Sequence, residues 1–101
     1  MTSYRLTRGA EDDLSQIFKW GIEQFGVDAT ERYLVELETV FAHLLLFPEA
    51  ARLRTDLEPH VRVYPQDAHV IVYEIEGDAI VILRVRSARE NWMASPLGDG
   101  L

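Results

Sequence analysis

Residues 69–86 read HVIVYEIEGDAIVILRVR, and this stretch decides the fold. It contains two runs rich in β-branched residues, His69 to Glu76 and Ala79 to Arg86, on either side of Gly77-Asp78. A two-residue loop with glycine first favours a type II′ turn, so the stretch predicts an antiparallel β-hairpin. Pairing outward from that turn gives the expected register: Glu76 opposite Ala79, Tyr73 opposite Ile82, Ile71 opposite Arg84 and His69 opposite Arg86.

Side chains alternate along a strand, and this alternation sorts the hairpin into two faces. We assign one row to the core beneath the helices: Val70, Val72, Val81, Leu83 and Val85. The other row is apolar at one end and basic at the other: His69, Ile71, Tyr73, Ile75, Ile80, Ile82, Arg84 and Arg86. The preceding strand candidate, His60 to Tyr64, follows the same rule, with Val61 and Val63 inward and Arg62 and Tyr64 on the second face. We predict that this second face stays open to a partner, since an exposed apolar patch marks an interaction site.

Upstream of the hairpin the apolar residues recur with the period of a helix. Tyr4 to Leu6 is a short strand candidate, and Thr7 is placed to cap a helix that Gly26 ends. Asp28 and Glu31 have capping-box spacing, so a second helix should begin there and close at Pro48. Two helices of about five turns with a short connection form an antiparallel hairpin.

The order of these elements, β-α-α-β-β-β, predicts an α+β fold. We expect the helix hairpin to pack on one face of a small, mostly antiparallel four-stranded sheet. The 101 residues fit one domain over 1–101. The short amphipathic tail at 92–101 is expected to be flexible or ordered by a partner.

Composition restricts the compartment and the class of partner. The net charge of -7 disfavours direct DNA binding by the chain alone, because an acidic surface repels phosphates. No cysteine is present, no basic and apolar leader opens the chain, and no apolar run approaches the roughly 20 residues that span a bilayer. We therefore expect a cytoplasmic protein with no membrane association.

Motifs for catalysis and for cofactors do not occur in the sequence. It has no glycine-rich phosphate loop, no nucleophile elbow and no zinc-binding helix. The three histidines, His43, His60 and His69, are not spaced as ligand pairs. We therefore predict no catalytic residue, no metal and no cofactor.

Three arginines near the end of the hairpin are candidates for function. Arg84, Arg86 and Arg89 fall within six positions, and guanidinium groups suit bidentate recognition of carboxylates and phosphates. Arg84 and Arg86 could equally form ion pairs with Glu74, Glu76 or Glu90. Trp92 and Met93 also have a structural and a functional interpretation. They could cover the edge of the core, or they could anchor a partner.

Several short stretches together carry a resemblance. In chain order they are Tyr4-Arg5-Leu6-Thr7, Ala10-Glu11-Asp12-Asp13-Leu14, Arg32-Tyr33-Leu34 through to Pro48, Leu57-x-Pro59-x-Val61-Arg62-x-Tyr64, His69-Val70-Ile71-Val72-Tyr73, and Ile82-Leu83-Arg84-Val85 with Arg89. In this order and spacing the chain, from about Tyr4 to Trp92, resembles the ParE branch of the ParE/RelE toxin superfamily.

The resemblance implies a toxin of a type II toxin–antitoxin pair that inhibits DNA gyrase by stoichiometric binding and is not an enzyme. It further implies a cognate ParD-like antitoxin, encoded by an adjacent reading frame, that forms a hetero-oligomer with the toxin. We predict that the target is bound by Arg84, Arg86, Arg89, Trp92 and Met93. We predict that the antitoxin is bound by Arg62, Tyr64, His69, Ile71, Tyr73, Ile80 and Ile82.

Two alternatives accompany this interpretation. RelE-like relatives cut messenger RNA on the ribosome, but this sequence lacks a lysine-rich second half and has no tyrosine after Tyr73 to act in proton transfer. The chain could also be an inactive toxin retained as an antitoxin-binding module. Many ParE-like sequences carry His-Gly-Arg after the last strand, where this chain has Ser87-Ala88-Arg89 and keeps only the arginine.

Overall fold

Two helices cover one face of a five-stranded sheet in the computed structural model, which describes residues 3–98. The elements are β1 (Ser3–Leu6), α1 (Arg8–Phe25), α2 (Val27–Leu46), β2 (Leu53–Arg54), β3 (Val61–Gln66), β4 (His69–Glu76), β5 (Ala79–Ser87) and a 3₁₀ turn (Trp92–Ala94). The strand order is β1-β5-β4-β3-β2, and the β1–β5 pair alone is parallel within residues 3–98. The α+β class and the mostly antiparallel sheet are therefore confirmed.

The predicted number of strands, four, was wrong because β2 was missed. Leu53 and Arg54 pair with Arg62 and Val61 at the edge of the sheet. Two residues are too short for a period-2 pattern to be recognised. Pro65-Gln66-Asp67 also predicts a turn from the sequence, but the turn begins later, because Pro65 and Gln66 still pair with β4.

The first helix begins and ends where the sequence predicts. The Thr7 Oγ1 accepts a hydrogen bond from the Ala10 N–H at 3.1 Å, and its hydroxyl donates to the Leu83 carbonyl at 2.7 Å. The cap thus joins α1 to β5. Gly26, with φ of 86°, ends the helix in the left-handed region that glycine adopts without strain.

The predicted capping box of the second helix was wrong. The helix begins at Val27, and Gly26 is its N-cap, without a side-chain cap. One glycine therefore ends α1 and starts α2, so Asp28 falls inside the first turn. There its carboxylate still favours the positive end of the helix dipole.

The two helices approach each other closely at Gly21 and Thr30, both of which are buried. A Cβ at position 21 would lie 2.7 Å from the Thr30 Oγ1 and 2.8 Å from its Cγ2. The Thr30 hydroxyl cannot turn away freely, because it donates to the Gly26 carbonyl at 2.7 Å. A glycine is therefore required here by space and not by backbone conformation.

Gly21→Ala should lower the free energy of unfolding by up to about 2 kcal/mol. Overpacking typically costs about 1–3 kcal/mol, against about 1 kcal/mol gained from helix propensity. Urea denaturation followed by circular dichroism measures the change. The double variant Gly21→Ala/Thr30→Ala should be no less stable than Thr30→Ala alone, because the clashing atoms are gone. A stabilised Gly21→Ala would contradict the close approach.

The assignment of the two sheet faces was wrong. The helix-side core comprises Ala10, Leu37, Phe41 and Leu44 with Ile71, Tyr73, Ile80, Ile82 and Val85. The row predicted to stay open therefore lies beneath the helices from His69 to Ile82, whereas Arg84, Val85 and Arg86 lie on the faces predicted for them. Both rows are rich in β-branched residues, so hydrophobicity alone could not tell which one meets the helices.

The register beyond the middle of the hairpin was also wrong. Glu76 pairs with Ala79 and Tyr73 with Ile82 as predicted, but a β-bulge follows, and Val72 then pairs with Arg84 and Ile71 with Val85. Leu83 is the extra residue on β5. The bulge moves Val85 to the helix side and Arg84 and Arg86 to the opposite face, since cross-strand partners share a face.

The face away from the helices carries a second, smaller core. Leu57, Val61 and Val72 are buried there, with Val63, Leu83, Trp92 and Leu97 packed around them. The predicted tail thus has a defined position over 92–98, while residues 99–101 lie outside the described part of the chain. Neither helix within residues 3–98 combines the length and the apolar content needed to cross a bilayer.

Candidate functional site

The Arg84 guanidinium joins three parts of the structure. Its Nε and Nη2 donate to the two carboxylate oxygens of Asp13 at 2.7 and 2.8 Å, and its Nη1 donates to the Leu97 carbonyl. Asp13 also accepts the Val85 N–H at 2.9 Å, next to the bulge. The hydrogen bonds with Asp13 raise the pKa of Arg84. Both side chains are nearly buried, at 16% and 15% exposure, so the pair is internal and not a free cationic site.

Arg86, two residues further along β5, is likewise bound to a carboxylate and to main-chain carbonyls. Its Nε donates to the Glu90 carboxylate at 2.9 Å, and its Nη1 donates to the carbonyls of Ser95 at 2.7 Å and Pro96 at 3.2 Å. The bond from Arg86 lowers the pKa of Glu90. Both arginines thus form ion pairs, as the alternative held. Arg86 pairs with Glu90, one of the glutamates considered, whereas Arg84 pairs with Asp13, which was not considered.

The remaining predicted target residues lie on the segment between these contacts. Trp92 packs into the second core, whereas Met93 is 52% exposed and Arg89 is exposed. Arg89 forms no ion pair within residues 3–98, and its N–H donates to the Ser87 hydroxyl at 3.3 Å. Of the five predicted target residues, Arg89 and Met93 are the two whose side chains project into solvent.

The seven predicted antitoxin residues all lie on the helix side of the sheet, so the open face they were meant to form does not exist. Ile71, Tyr73, Ile80 and Ile82 are no more than 1% exposed. The Arg62 Nη1 donates to the Ala51 carbonyl at 2.7 Å, and the Tyr64 ring lies 6.1 Å from that of His43 on α2. A partner could not reach the four apolar side chains without displacing the helices.

The seventh of these residues, His69, forms a pair with Tyr33 that the sequence did not reveal. The Tyr33 hydroxyl lies 2.6 Å from the His69 Nδ1 and 3.3 Å from the Gln66 carbonyl. Burial, helped by the charges of Asp67 and Glu36, raises the pKa of Tyr33 to about 12. Burial lowers the pKa of His69, although Asp13 and Glu90 oppose the effect. Burial therefore favours the neutral form of both rings, which share the 2.6 Å hydrogen bond.

This pair predicts that acidification destabilises the chain. Because the pKa of His69 is lower in the folded chain than its ordinary 6.5, the unfolded chain binds the proton more readily. The stability that neutral His69 contributes to the folded chain is fully present above pH 6.5. It is lost as the pH falls through the pKa of His69 in the folded chain. Urea denaturation from about pH 7 to about pH 5 should show a smaller loss of stability for His69→Gln than for the parent. His60→Gln, at an exposed histidine, is the control and should keep the parent's pH dependence.

A groove opens between β1 and the helices. It has a cavity of about 160 Å³ lined by Tyr4, Leu6, Leu14, Leu34, Glu38 and Phe41. Five of the six side chains are apolar or aromatic, and Glu38 supplies the one charge. The cavity is smaller than the roughly 300–1,000 Å³ typical of small-molecule sites.

Comparison with known proteins gives the family. The family described as "ParE toxin of type II toxin-antitoxin system, parDE" matches residues 4–92. The chain belongs to the ParE toxin family. It is 35% identical over 92 residues to Toxin ParE3 of Caulobacter vibrioides, with 91% of each chain covered. It is also 26% identical over 87 residues to Toxin ParE1 of Mycobacterium tuberculosis, covering 85% of this chain and 89% of the relative.

Solved structures agree with the fold of this ParE family member. A chain of the "Chromosomal ParDE TA system from P. aeruginosa" superposes with a TM-score of 0.75 at 21% identity, covering 86% of this chain and 96% of the other. The resemblance that the sequence suggested is thus confirmed at the level of family and fold. The chain is a toxin of the type II class.

Three site features escaped sequence reasoning. Asp13 and Tyr33 were noted only as parts of the stretches that carry the resemblance, and the groove at β1 was not anticipated. The partners of Asp13 and Tyr33 lie 71 and 36 residues away along the chain. Within residues 3–98, no three metal-ligating side chains come together.

Proposed function

We propose that this toxin acts by stoichiometric binding to DNA gyrase and is neutralised by a ParD-like antitoxin encoded beside it. Membership of the ParE family over residues 4–92 is the observation that carries this proposal. The site supports binding over catalysis. Arg84 and Arg86 are engaged by carboxylates and so lend little charge to a pentavalent phosphate, and Tyr33 keeps its proton at neutral pH.

The target contacts in this proposal are Arg89 and Met93. Arginine and methionine are enriched at protein interfaces, and both side chains are exposed. The backbone that carries them is fixed before the target arrives. The Ala88 N–H donates to the Ala68 carbonyl at 2.9 Å, and Glu90 accepts the Ser87 N–H at 3.1 Å. A fixed loop loses less conformational entropy on binding.

Arg89→Ala should weaken inhibition of gyrase supercoiling at least tenfold, as loss of an interface hot spot does. The readout is the concentration of purified toxin that halves supercoiling. Arg52→Ala is the matched control, because it removes another exposed arginine, directly before the edge strand β2 and outside the loop, and should leave inhibition unchanged. A parent protein that leaves gyrase unaffected at micromolar concentration would refute the gyrase target.

The antitoxin in this proposal occupies the groove at β1. An amphipathic antitoxin segment would insert an apolar side chain between Leu14 and Leu34. Leu14→Gln should weaken antitoxin binding at least tenfold in titration calorimetry while gyrase inhibition persists. Leu46→Gln, at a residue 75% exposed on α2 and outside the groove, serves as the control.

Expression in growing cells separates the alternatives. Site-specific cuts in translated codons, found by mapping messenger RNA ends, would favour a ribosome-dependent nuclease over gyrase inhibition. Normal growth combined with intact antitoxin binding would favour an inactive binding module. We expect growth arrest without such cuts.

A further inference from the structure

The last part of the described chain is fastened to the sheet through its main chain. Arg84 donates to the carbonyl of Leu97, and Arg86 donates to those of Ser95 and Pro96. The two arginines thus fix the path of the backbone whatever side chains it carries. Pro96 is buried beneath this arrangement, and Leu97 packs against the second core.

Each arginine is itself held from the other side. Asp13 of α1 accepts hydrogen bonds from the Nε and Nη2 of Arg84, and Glu90 accepts one from the Nε of Arg86. The guanidinium planes are therefore oriented independently of the tail, because bidentate and charge-assisted bonds are directional. We call this set, Asp13–Arg84–Leu97 and Glu90–Arg86–Ser95/Pro96, the tail clamp.

The segment with the exposed residues lies inside the tail clamp. Arg89 precedes Glu90, which Arg86 holds, and Met93 follows Trp92, whose ring lies in the second core. Beyond Ala94 the carbonyl contacts begin. The direction in which Arg89 and Met93 project is therefore set at both ends of this segment.

A direct role for the clamp arginines in binding is disfavoured by their surroundings. Their side chains are only 16% and 12% exposed, and each is neutralised by a carboxylate. In a chain with a net charge of -7, two neutralised groups add little attraction for an acidic partner.

We infer that Arg84 and Arg86 are positioning residues: they clamp residues 95–97 to the sheet and thereby hold Arg89 and Met93 in the geometry that engages the target, without contacting the target themselves. The inference rests on the proposed function for its target and on the tail clamp for its physical basis. It changes the role of two residues that the sequence marked as contacts.

The chain offers a direct reporter for the clamp. It has two tryptophans, and Trp20 is 57% exposed on α1, so Trp20→Phe leaves Trp92 as the single tryptophan, whose fluorescence can be excited apart from that of the tyrosines. In this background Arg86→Lys keeps the charge, but a single ammonium lacks the planar fork that reaches Glu90 and two carbonyls together. We expect acrylamide quenching of Trp92 to rise about twofold and gyrase inhibition to weaken about tenfold in the same variant.

Controls separate positioning from contact. Arg52→Lys, made in the same background, should change neither quenching nor inhibition. Arg89→Ala should weaken inhibition and leave Trp92 quenching unchanged, since its side chain is outside the clamp. If Arg86→Lys fails to fold, Glu90→Gln tests the same anchor, because it removes the charge that orients Arg86 and keeps the shape.

Two results would overturn the inference. Weakened inhibition with unchanged Trp92 quenching would assign Arg86 to the contact surface, and increased quenching with full inhibition would show that the clamp does not position the loop. If the parent does not inhibit gyrase, the proposed function fails. Trp92 quenching still decides the clamp in that case, since an unaltered signal in Arg86→Lys shows that no clamp exists.

Discussion

Phe41→Ala should lower the free energy of unfolding by about 3–5 kcal/mol, the usual cost of truncating a buried phenylalanine. Phe41 is 1% exposed, lies in the helix-side core and meets the Tyr4 ring edge-on at 5.6 Å. The alanine would leave a void under α2 and extend the groove at β1, which Phe41 already lines. Domains are stable by only about 5–15 kcal/mol, so the variant should unfold at much lower urea.

The matched control for Phe41 is on the same helix. Leu46 is 75% exposed, so Leu46→Ala should change the free energy of unfolding by no more than about 0.5 kcal/mol. Phe41→Leu should fall between the two, because it keeps part of the buried volume. Equal losses for Phe41→Ala and Leu46→Ala would mean that α2 does not pack on the sheet through this face.

Asp13→Asn should cost about 2–3 kcal/mol of stability. The carboxylate takes three hydrogen bonds, two from Arg84 and one from the Val85 N–H. Asparagine has the same shape, but its amide N–H group would face the N–H donors of Arg84 or Val85. The nearly buried guanidinium of Arg84 would also lose its counter-charge. Breaking a fully buried pair costs about 3–5 kcal/mol, and the residual exposure of 15–16% reduces this figure.

The neighbouring acid provides the control. Asp12 is exposed in the same turn of α1, so Asp12→Asn should change stability by no more than about 0.5 kcal/mol. Since Arg84 is the main partner, Asp13→Asn combined with Arg84→Gln should cost less than the sum of the single losses. Additive losses, or equal effects at positions 12 and 13, would contradict the pairing. Urea denaturation at pH 7 gives all four values.

Local signals predicted much of the fold. Thr7 and Gly26 gave the ends of α1, because a cap and a left-handed glycine act through neighbouring backbone groups alone. Gly77, with φ of 64°, gave the hairpin turn and the register of the pairs nearest to it. The strand Leu53–Arg54 was missed because two residues form no pattern.

The candidate site was predicted less well, for a physical reason. The arginine cluster was visible, but its carboxylate Asp13 lies 71 residues from Arg84 along the chain. Glu90 was considered as a partner because it lies four residues from Arg86, within reach along the chain. The assembled surface decides which side chains stay exposed. Of the five predicted target residues, Arg89 and Met93 are the two that have the exposure their predicted role requires.

The amino-acid order by itself determined the two helices, the hairpin and the family, because each rests on short-range patterns or on residues in fixed order. Tertiary structure decided which face of the hairpin meets the helices and where the arginines point. Both rows of the hairpin are apolar enough to be buried, so the choice depends on how α1, α2 and the tail fit against them. The bulge at Leu83 has no signature in the sequence, yet it reverses the faces beyond it, since one extra residue shifts a period of two.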